Sequence, residues 1–89
     1  MIEVAFSTPF QRAFRKRIKG QKALEDLFWE RVEAFTSDPY DERLRTHKLS
    51  GKLKDLWSFS VTYDIRVIFH FADEQRAVFV DIGRHDEVY

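Results

Sequence analysis

Two histidines in polar, basic surroundings are the side chains of this chain best suited to proton transfer. His47 lies in a lysine-rich stretch, and His85 lies in the C-terminal segment GRHDEVY. An imidazole titrates near neutral pH, so two of them can share the roles of acid and base in one reaction. Arg66 stands between them in the sequence and offers a planar guanidinium that matches two phosphate oxygens.

Cleavage of RNA without a metal is the reaction that these residue types fit. It needs a base for the 2′-hydroxyl proton, an acid for the departing 5′-oxygen, and cations for the charged phosphorane. Tyr89 can stack on a base or donate a proton. Exposed lysines stay protonated near pH 7, which suits phosphate contact better than base catalysis. The residues predicted to contact RNA are Lys48, Lys52, Lys54 and Arg84.

Metal, cofactor and membrane chemistry find no support in the sequence. The chain has no cysteine, which excludes disulfides and thiolate zinc sites, and no histidine pair has the spacing H-x-x-H or H-x-x-x-H. No stretch approaches about 20 apolar residues. We expect a cytoplasmic protein with no metal, no cofactor and no membrane contact.

Charge is balanced overall but unevenly distributed. Fifteen basic and fifteen acidic residues cancel, which predicts only modest affinity for RNA by charge alone. Residues 11–22 hold six Lys or Arg and no acid, and residues 43–54 hold five more around His47. The first run fits a solvated helix face and a contact surface equally well, so both interpretations stay open.

The first half of the chain has the pattern of a strand followed by two helices. Apolar residues alternate through residues 2–6, which is typical of a strand. Thr8 is the predicted N-cap of a first helix, with Pro9 at its first position, and Gly20 ends it. Residues 22–36 carry an apolar stripe at helical spacing and predict a second helix.

The second half predicts a three-stranded meander after a polar connection at residues 40–55. Apolar residues alternate over 57–63, 65–71 and 76–82, with a hairpin at 72–75. The alternation puts Arg66 and His70 on one face, together with Ser58 and Ser60. We expect an α+β fold of the order β-α-α-β-β-β, in one domain over 1–89, with both helices on one face of a mainly antiparallel sheet and the other face open.

A family resemblance emerges from two tracts. HKLSGKLKDLWSFSVTYDIRVIFHF and VFVDIGRHDEVY resemble the C-terminal half of the RelE/ParE toxin superfamily, especially its YafQ-like mRNA interferases. The order of predicted elements in the rest of the chain is similar too. The resemblance therefore covers nearly the whole chain and implies a RelE-like fold.

The resemblance also implies site residues. It assigns catalytic roles to His47, Asp64 and His85, matches Tyr89 to the closing aromatic, and matches Arg66 to an arginine that contacts phosphate or the transition state. YafQ-like members often carry a further histidine where this chain has Ser60. The resemblance gives His70 no role, and we expect it to be a strand-face or partner-contact residue.

Two functions remain open at the level of sequence. The resemblance implies a toxin that cleaves messenger RNA in the ribosomal A site and is neutralised by a cognate antitoxin protein. The alternative is a toxin of the ParE kind, which shares the fold but inhibits DNA gyrase by binding it, and in which the histidines would be incidental. The presence of both His47 and His85 favours the ribonuclease.

Overall fold

The computed structural model describes residues 1–53 and 55–89, with Lys52 described by its backbone alone. Short 3₁₀ turns at Glu42–Leu44 and Gly51–Leu53 flank the second strand. The predicted α+β class, with two helices and a mainly antiparallel sheet, is confirmed. The helices and strands in chain order are β1 (Glu3–Phe6), α1 (Thr8–Arg17), α2 (Lys22–Ser37), β2 (His47–Lys48), β3 (Trp57–Ser60), β4 (Ile65–Asp73), β5 (Arg76–Arg84) and α3 (His85–Val88).

The five strands form one sheet in the order β1-β5-β4-β3-β2. β1 lies parallel to β5, and the other neighbours pair antiparallel. β4 lies in the centre of the sheet, so its side chains alternate between the two faces with a strand on either side. One register row across the sheet joins Ser60, Arg66 and Gly83.

An aromatic cluster on the helical face is the centre of the core. Phe35 of α2 is fully buried, and its ring lies 5.1 Å from Phe59, 4.9 Å from Phe69 and 5.4 Å from Phe79, measured between centroids. These three partners come from β3, β4 and β5. Aromatic rings at such separations add edge-to-face and offset-stacking attraction to the burial of their apolar area.

The ends of the first helix differ slightly from the prediction. Ser7, not Thr8, is the N-cap: its hydroxyl accepts a hydrogen bond from the N–H of Phe10 at 3.2 Å. Pro9 is therefore the second residue of the helix, where its missing N–H leaves no hydrogen bond unmade. Gly20 follows the helix with φ of 94°, a left-handed conformation that glycine adopts without strain.

The connection and the strand ends are more structured than the pattern predicted. The residues expected to form a loop contain β2, which adds a fifth strand to the sheet. The first meander strand was expected to reach residue 63, but β3 ends at Ser60 and residues 61–64 form a bend. The terminal helix α3 carries only four residues and was not predicted.

The second face of the sheet is partly covered, against the expectation that it would be open. Ser58 and Ile68 face each other across β3 and β4 and are 0% and 2% exposed. Ile68 does not belong to the core cluster that the helices cover. Arg66, by contrast, remains half-buried, so this face is accessible next to the arginine. Among the described helices, none is long and apolar enough to cross a bilayer.

The central position of Phe35 leads to a prediction about stability. Phe35→Ala should lower the free energy of unfolding by about 3–5 kcal/mol, because three strands lose their contact with one ring and a cavity remains. Tyr63→Ala is the control, since Tyr63 is 88% exposed and its loss should cost less than about 0.5 kcal/mol. Urea denaturation followed by circular dichroism measures both, and equal midpoints for the two variants would contradict this account of the core.

Candidate active site

Arg66 is anchored by neighbours at the end of β3. Its Nη1 donates a hydrogen bond to the Ser60 hydroxyl at 2.6 Å and another to the Thr62 carbonyl at 3.2 Å. A guanidinium has five N–H donors, so these two bonds fix its position and leave the others for a ligand. The sequence prediction that Ser60 shares the face of Arg66 agrees with the strand register.

Four of the predicted site residues line one cavity of about 370 Å³ beside Arg66. They are the side chains of Asp64, Arg66, Arg84 and His85. Tyr63 and Asp86 complete the lining. The cavity lies where four segments meet: the bend at residues 61–64, the start of β4, the end of β5 and the start of α3.

The bend carrying Asp64 is fixed by a side-chain hydrogen bond. The hydroxyl of Thr62 accepts from the backbone N–H of Asp64 at 3.2 Å and from that of Ile65 at 3.0 Å. Such local bonds hold a tight turn without sheet pairing. Asp64 itself is exposed, so its carboxylate faces the cavity and solvent rather than the core.

The terminal helix α3 fixes the ring of His85 against Tyr89. The two rings meet edge to face with centroids 4.4 Å apart, and the N–H of Tyr89 donates to the carbonyl of His85 at 3.0 Å. At the other end of this turn, the carboxylate of Glu87 accepts from the N–H of Arg84 at 2.7 Å. Tyr89 therefore supports the imidazole from outside the cavity lining.

His47 lies apart from this cavity, on the edge strand β2. Its Nδ1 is 3.0 Å from the carbonyl of Arg45. Because a carbonyl only accepts, Nδ1 is the donor of this hydrogen bond, and Nε2 takes no part in it. The strand register and ordinary strand spacing put its Cα about 12 Å from that of Arg66 and roughly 20 Å from that of His85. The two histidines thus flank Arg66 from opposite sides and are not adjacent.

The remaining predicted RNA contacts are only partly visible. Lys48 is exposed on β2 beside His47 and does not line the cavity. Lys54 and the side chain of Lys52 lie outside the described residues. His70 sits further along β4 from the cavity, opposite Val78. Over residues 1–53 and 55–89, no three His, Asp or Glu side chains gather into a group that could hold a metal ion.

Arg17, at the end of α1, was missed by the sequence analysis and ties three elements together. Its Nη1 donates to the carboxylate of Asp81 at 3.1 Å and to the carbonyl of Ile82 at 2.9 Å, and its Nε lies 3.6 Å from a carboxylate oxygen of Glu87. A Cβ added at Gly83 would lie 2.8 Å from Arg17 Nη1. Gly83 therefore makes room for the arginine that holds α3.

No signal in the sequence distinguishes Arg17 from its basic neighbours. Arg17 is half-buried, whereas the other Lys and Arg of residues 11–22 are exposed. One residue of the first basic run thus links the site to α1, and the others are exposed, where both interpretations of the run remain open. Only the packing of α1 on β5 separates Arg17 from the others.

The arrangement can bind an anion and move a proton beside it. Arg66 and Arg84 bring two guanidinium groups to one cavity with the His85 imidazole, and guanidinium groups bind phosphate oxygens through paired N–H donors. A larger, more apolar groove of about 550 Å³ between α1 and α2, lined by residues such as Phe10, Phe14 and Trp29, contains none of the predicted site residues.

Comparisons with known proteins give the family and the fold that this chain resembles. Residues 2–89 match the family described as the bacterial toxin of type II toxin-antitoxin systems, YafQ. No curated protein sequence matches the chain.

Three solved structures share the fold at low sequence identity. A metal-bound toxin from Helicobacter pylori has a TM-score of 0.79 and 21% identity, with 100% of both chains covered. YafQ from E. coli has a TM-score of 0.70 and 17% identity, with 100% of this chain and 99% of that chain covered. The RelBE2 toxin-antitoxin complex from Mycobacterium tuberculosis has a TM-score of 0.73 and 16% identity, with 94% and 98% covered.

The contacts of Arg17 predict that it holds His85 in place. Arg17→Met should release α3, because Glu87 and the carbonyl of Ile82 lose their cationic partner. In the NMR spectrum, the ring protons of His85 should then lose the shift that the adjacent Tyr89 ring imposes, and the amide of Tyr89 should exchange faster with solvent. Arg12→Met, an exposed change on the same helix, is the matched control, and identical spectra for the two variants would contradict this role.

Proposed function

Because the chain belongs to the YafQ family of bacterial type II toxin-antitoxin toxins, we propose that it is an endoribonuclease that cleaves messenger RNA on the ribosome. The RelE, YafQ and YoeB toxins share its fold. Cleavage of messenger RNA during translation stops protein synthesis, which is the toxic effect. The chemistry proposed is attack by the 2′-hydroxyl on the neighbouring phosphate, without a metal or cofactor.

The observation that carries this proposal is the meeting of Asp64, Arg66, Arg84 and His85 around one cavity. These residues are distant in the sequence or come from different elements, and none is needed to complete the hydrophobic core. Buried arginines normally serve structure, but Arg66 keeps donors available after its bonds to Ser60 and Thr62. Arg84 lies 4.0 Å from Asp86 and 3.6 Å from Glu87, so Arg66 is the arginine of this cavity without an ion pair among the described residues, and it suits a phosphodiester beside the imidazole.

The proposed roles follow from chemistry and position. His85 exchanges a proton with the reacting RNA, and Arg66 and Arg84 stabilise the charge that develops on the phosphorane. Asp64 also lines the cavity, and we assign its carboxylate as the second group that takes part in proton transfer. Tyr89 keeps the imidazole oriented through its edge-to-face contact.

His47 has a different place in this scheme. Its Cα lies roughly 20 Å from that of His85 by strand geometry, too far for the two rings to act on opposite sides of one phosphate. We therefore assign His47 a role in RNA binding, together with Lys48, Lys52 and Lys54. Its Nε2 remains available to a hydroxyl or phosphate of the neighbouring nucleotide.

The partners proposed are an antitoxin and the ribosome. The structural relatives include a RelBE2 complex and a YoeB–YefM complex from Staphylococcus aureus, each a toxin with its antitoxin. We propose that this chain likewise binds a cognate antitoxin in the cytoplasm. Its net charge of zero favours a substrate delivered by the ribosome over free RNA.

His85→Ala should abolish growth arrest and lower the rate of messenger RNA cleavage by about 10²–10⁴-fold, since one proton-transfer group is lost. The matched control is His70→Ala, which removes a histidine outside the cavity and should leave cleavage unchanged. Mapping of transcript ends after induction measures both, and circular dichroism reports that each variant is folded. Full cleavage by His85→Ala would remove His85 from the mechanism.

The same induced cells also distinguish the ribonuclease from gyrase inhibition, the alternative function. DNA damage linked to gyrase, together with intact transcripts, would replace the ribonuclease with a ParE-like activity.

The positions of the two histidines predict different kinetic effects. His47→Ala should raise KM with little change in kcat, because it acts on binding, whereas His85→Ala should lower kcat at similar KM. Steady-state cleavage of messenger RNA on programmed ribosomes measures the two constants. An equal fall of kcat in both variants would show that His47 takes part in the chemical step.

A further inference from the structure

A second cavity, lined by several arginines, lies beside the candidate active site. It is formed by residues of α2, the 3₁₀ turn at Glu42–Leu44 with Arg45, and the bend after β3. It has a volume of about 200 Å³. Four arginines and no acidic residue line it: Arg31, Arg43, Arg45 and Arg66. The sequence analysis gave no role to the first three.

Two of these arginines already have acidic partners outside the cavity lining. Arg43 forms a bidentate pair with Asp41, with N–O distances of 3.0 and 2.9 Å, and this pair lowers the pKa of the Asp41 carboxyl to about 2. Arg31 Nη1 lies 3.1 Å from Glu30. Across the described residues, neither Arg45 nor Arg66 forms an ion pair. Two uncompensated cations therefore face this cavity.

A buried donor adds to the case for an anion. The Nε of Arg31 is inaccessible to solvent and has no hydrogen-bond acceptor among the described residues. Buried N–H groups of native proteins almost always have an acceptor. Arg31 lines the cavity and keeps an unmet donor, which favours a ligand with acceptor oxygens at this site over a solvated patch of arginines.

The position of the cavity, next to the candidate active site, indicates which kind of anion it binds. Arg66 and Tyr63 line both this cavity and the one that holds His85, so the two cavities are neighbours on either side of these side chains. The Tyr63 ring is 88% exposed at the junction, where a base can stack on it, as bases do on exposed aromatic rings in proteins that bind single strands. Single-stranded RNA presents this combination of a phosphate next to a base.

We infer that the cavity between Arg31, Arg45 and Arg66 binds the phosphate adjacent to the scissile one in the substrate RNA, with Tyr63 stacked on the base between them. This inference rests on the proposed ribonuclease function. Arg45 supplies the main free guanidinium, and its backbone carbonyl also holds the ring of His47. The subsite therefore connects the cavity of His85 with the RNA contacts on β2.

The test uses a short single-stranded RNA that is 2′-O-methylated throughout, so that it binds without being cleaved. One phosphate at a time is replaced by a neutral methylphosphonate, and affinity for the purified toxin is measured by NMR titration. We expect one replacement next to the scissile position to weaken binding by wild type about tenfold. Arg45→Gln should weaken binding of the unmodified RNA by a similar factor and should be insensitive to that replacement.

Arg45→Gln is a suitable variant for two reasons. Arg45 has φ of 51°, and Gln carries the same Cβ, so the strain of the left-handed backbone is unchanged. The bond to His47 uses the backbone carbonyl, which the substitution keeps. Arg12→Gln removes the same charge from an exposed position on α1 and should keep wild-type affinity and wild-type sensitivity to every methylphosphonate.

The outcomes separate the subsite from the function on which it rests. If wild type cleaves messenger RNA and Arg45→Gln keeps the full methylphosphonate sensitivity, the subsite is refuted and the ribonuclease stands. If Arg45→Gln keeps RNA affinity but loses antitoxin, the cavity serves a protein partner and the inference is also refuted. If wild type neither binds the RNA nor cleaves transcripts, the proposed function itself fails.

Discussion

The register of β4 between β3 and β5 is the constraint on which the rest of this structure depends. On one face of the sheet, Phe69 of this strand packs against Phe35 of the second helix. On the other face, Arg66 forms a hydrogen bond with Ser60. A shift of one residue would exchange these faces, placing a charged guanidinium in the aromatic core. The interactions that stabilise the core therefore also determine the position of the Arg66 guanidinium.

The terminal helix α3, in turn, depends on the first helix for its position. A helix of one turn is unstable by itself, because few hydrogen bonds compensate the loss of chain entropy. α3 is held by Glu87, which contacts the backbone of Arg84 and the guanidinium of Arg17. The imidazole of His85 is thus positioned by a helix more than 60 residues earlier in the chain.

The distribution of arginines explains how a chain of zero net charge can offer a cationic site. Arg17, Arg31 and Arg43 each have acidic partners, so their charges are compensated locally. Arg45 and Arg66 form no ion pair among the described residues, and Arg66 is held by the Ser60 hydroxyl instead. The Ser60 hydroxyl anchors Arg66 and so places the charge without neutralising it.

The sequence by itself determined most of the elements, because hydrophobic periodicity follows directly from helix and strand geometry, but it did not indicate β2 or α3. It predicted the two long helices, the first strand, the three strands of the meander and the grouping of Ser60 with Arg66. It also named four of the six residues that line the cavity around His85, partly through the family resemblance.

Tertiary structure alone decided which of those residues meet. The separation of His47 from His85 depends on the order of strands in the sheet, and the sequence pattern carries no information on that order. The roles of Arg17 and Arg45 depend on contacts with distant segments and on one left-handed backbone angle. Such features arise from packing between elements, so no local pattern of residues could have indicated them.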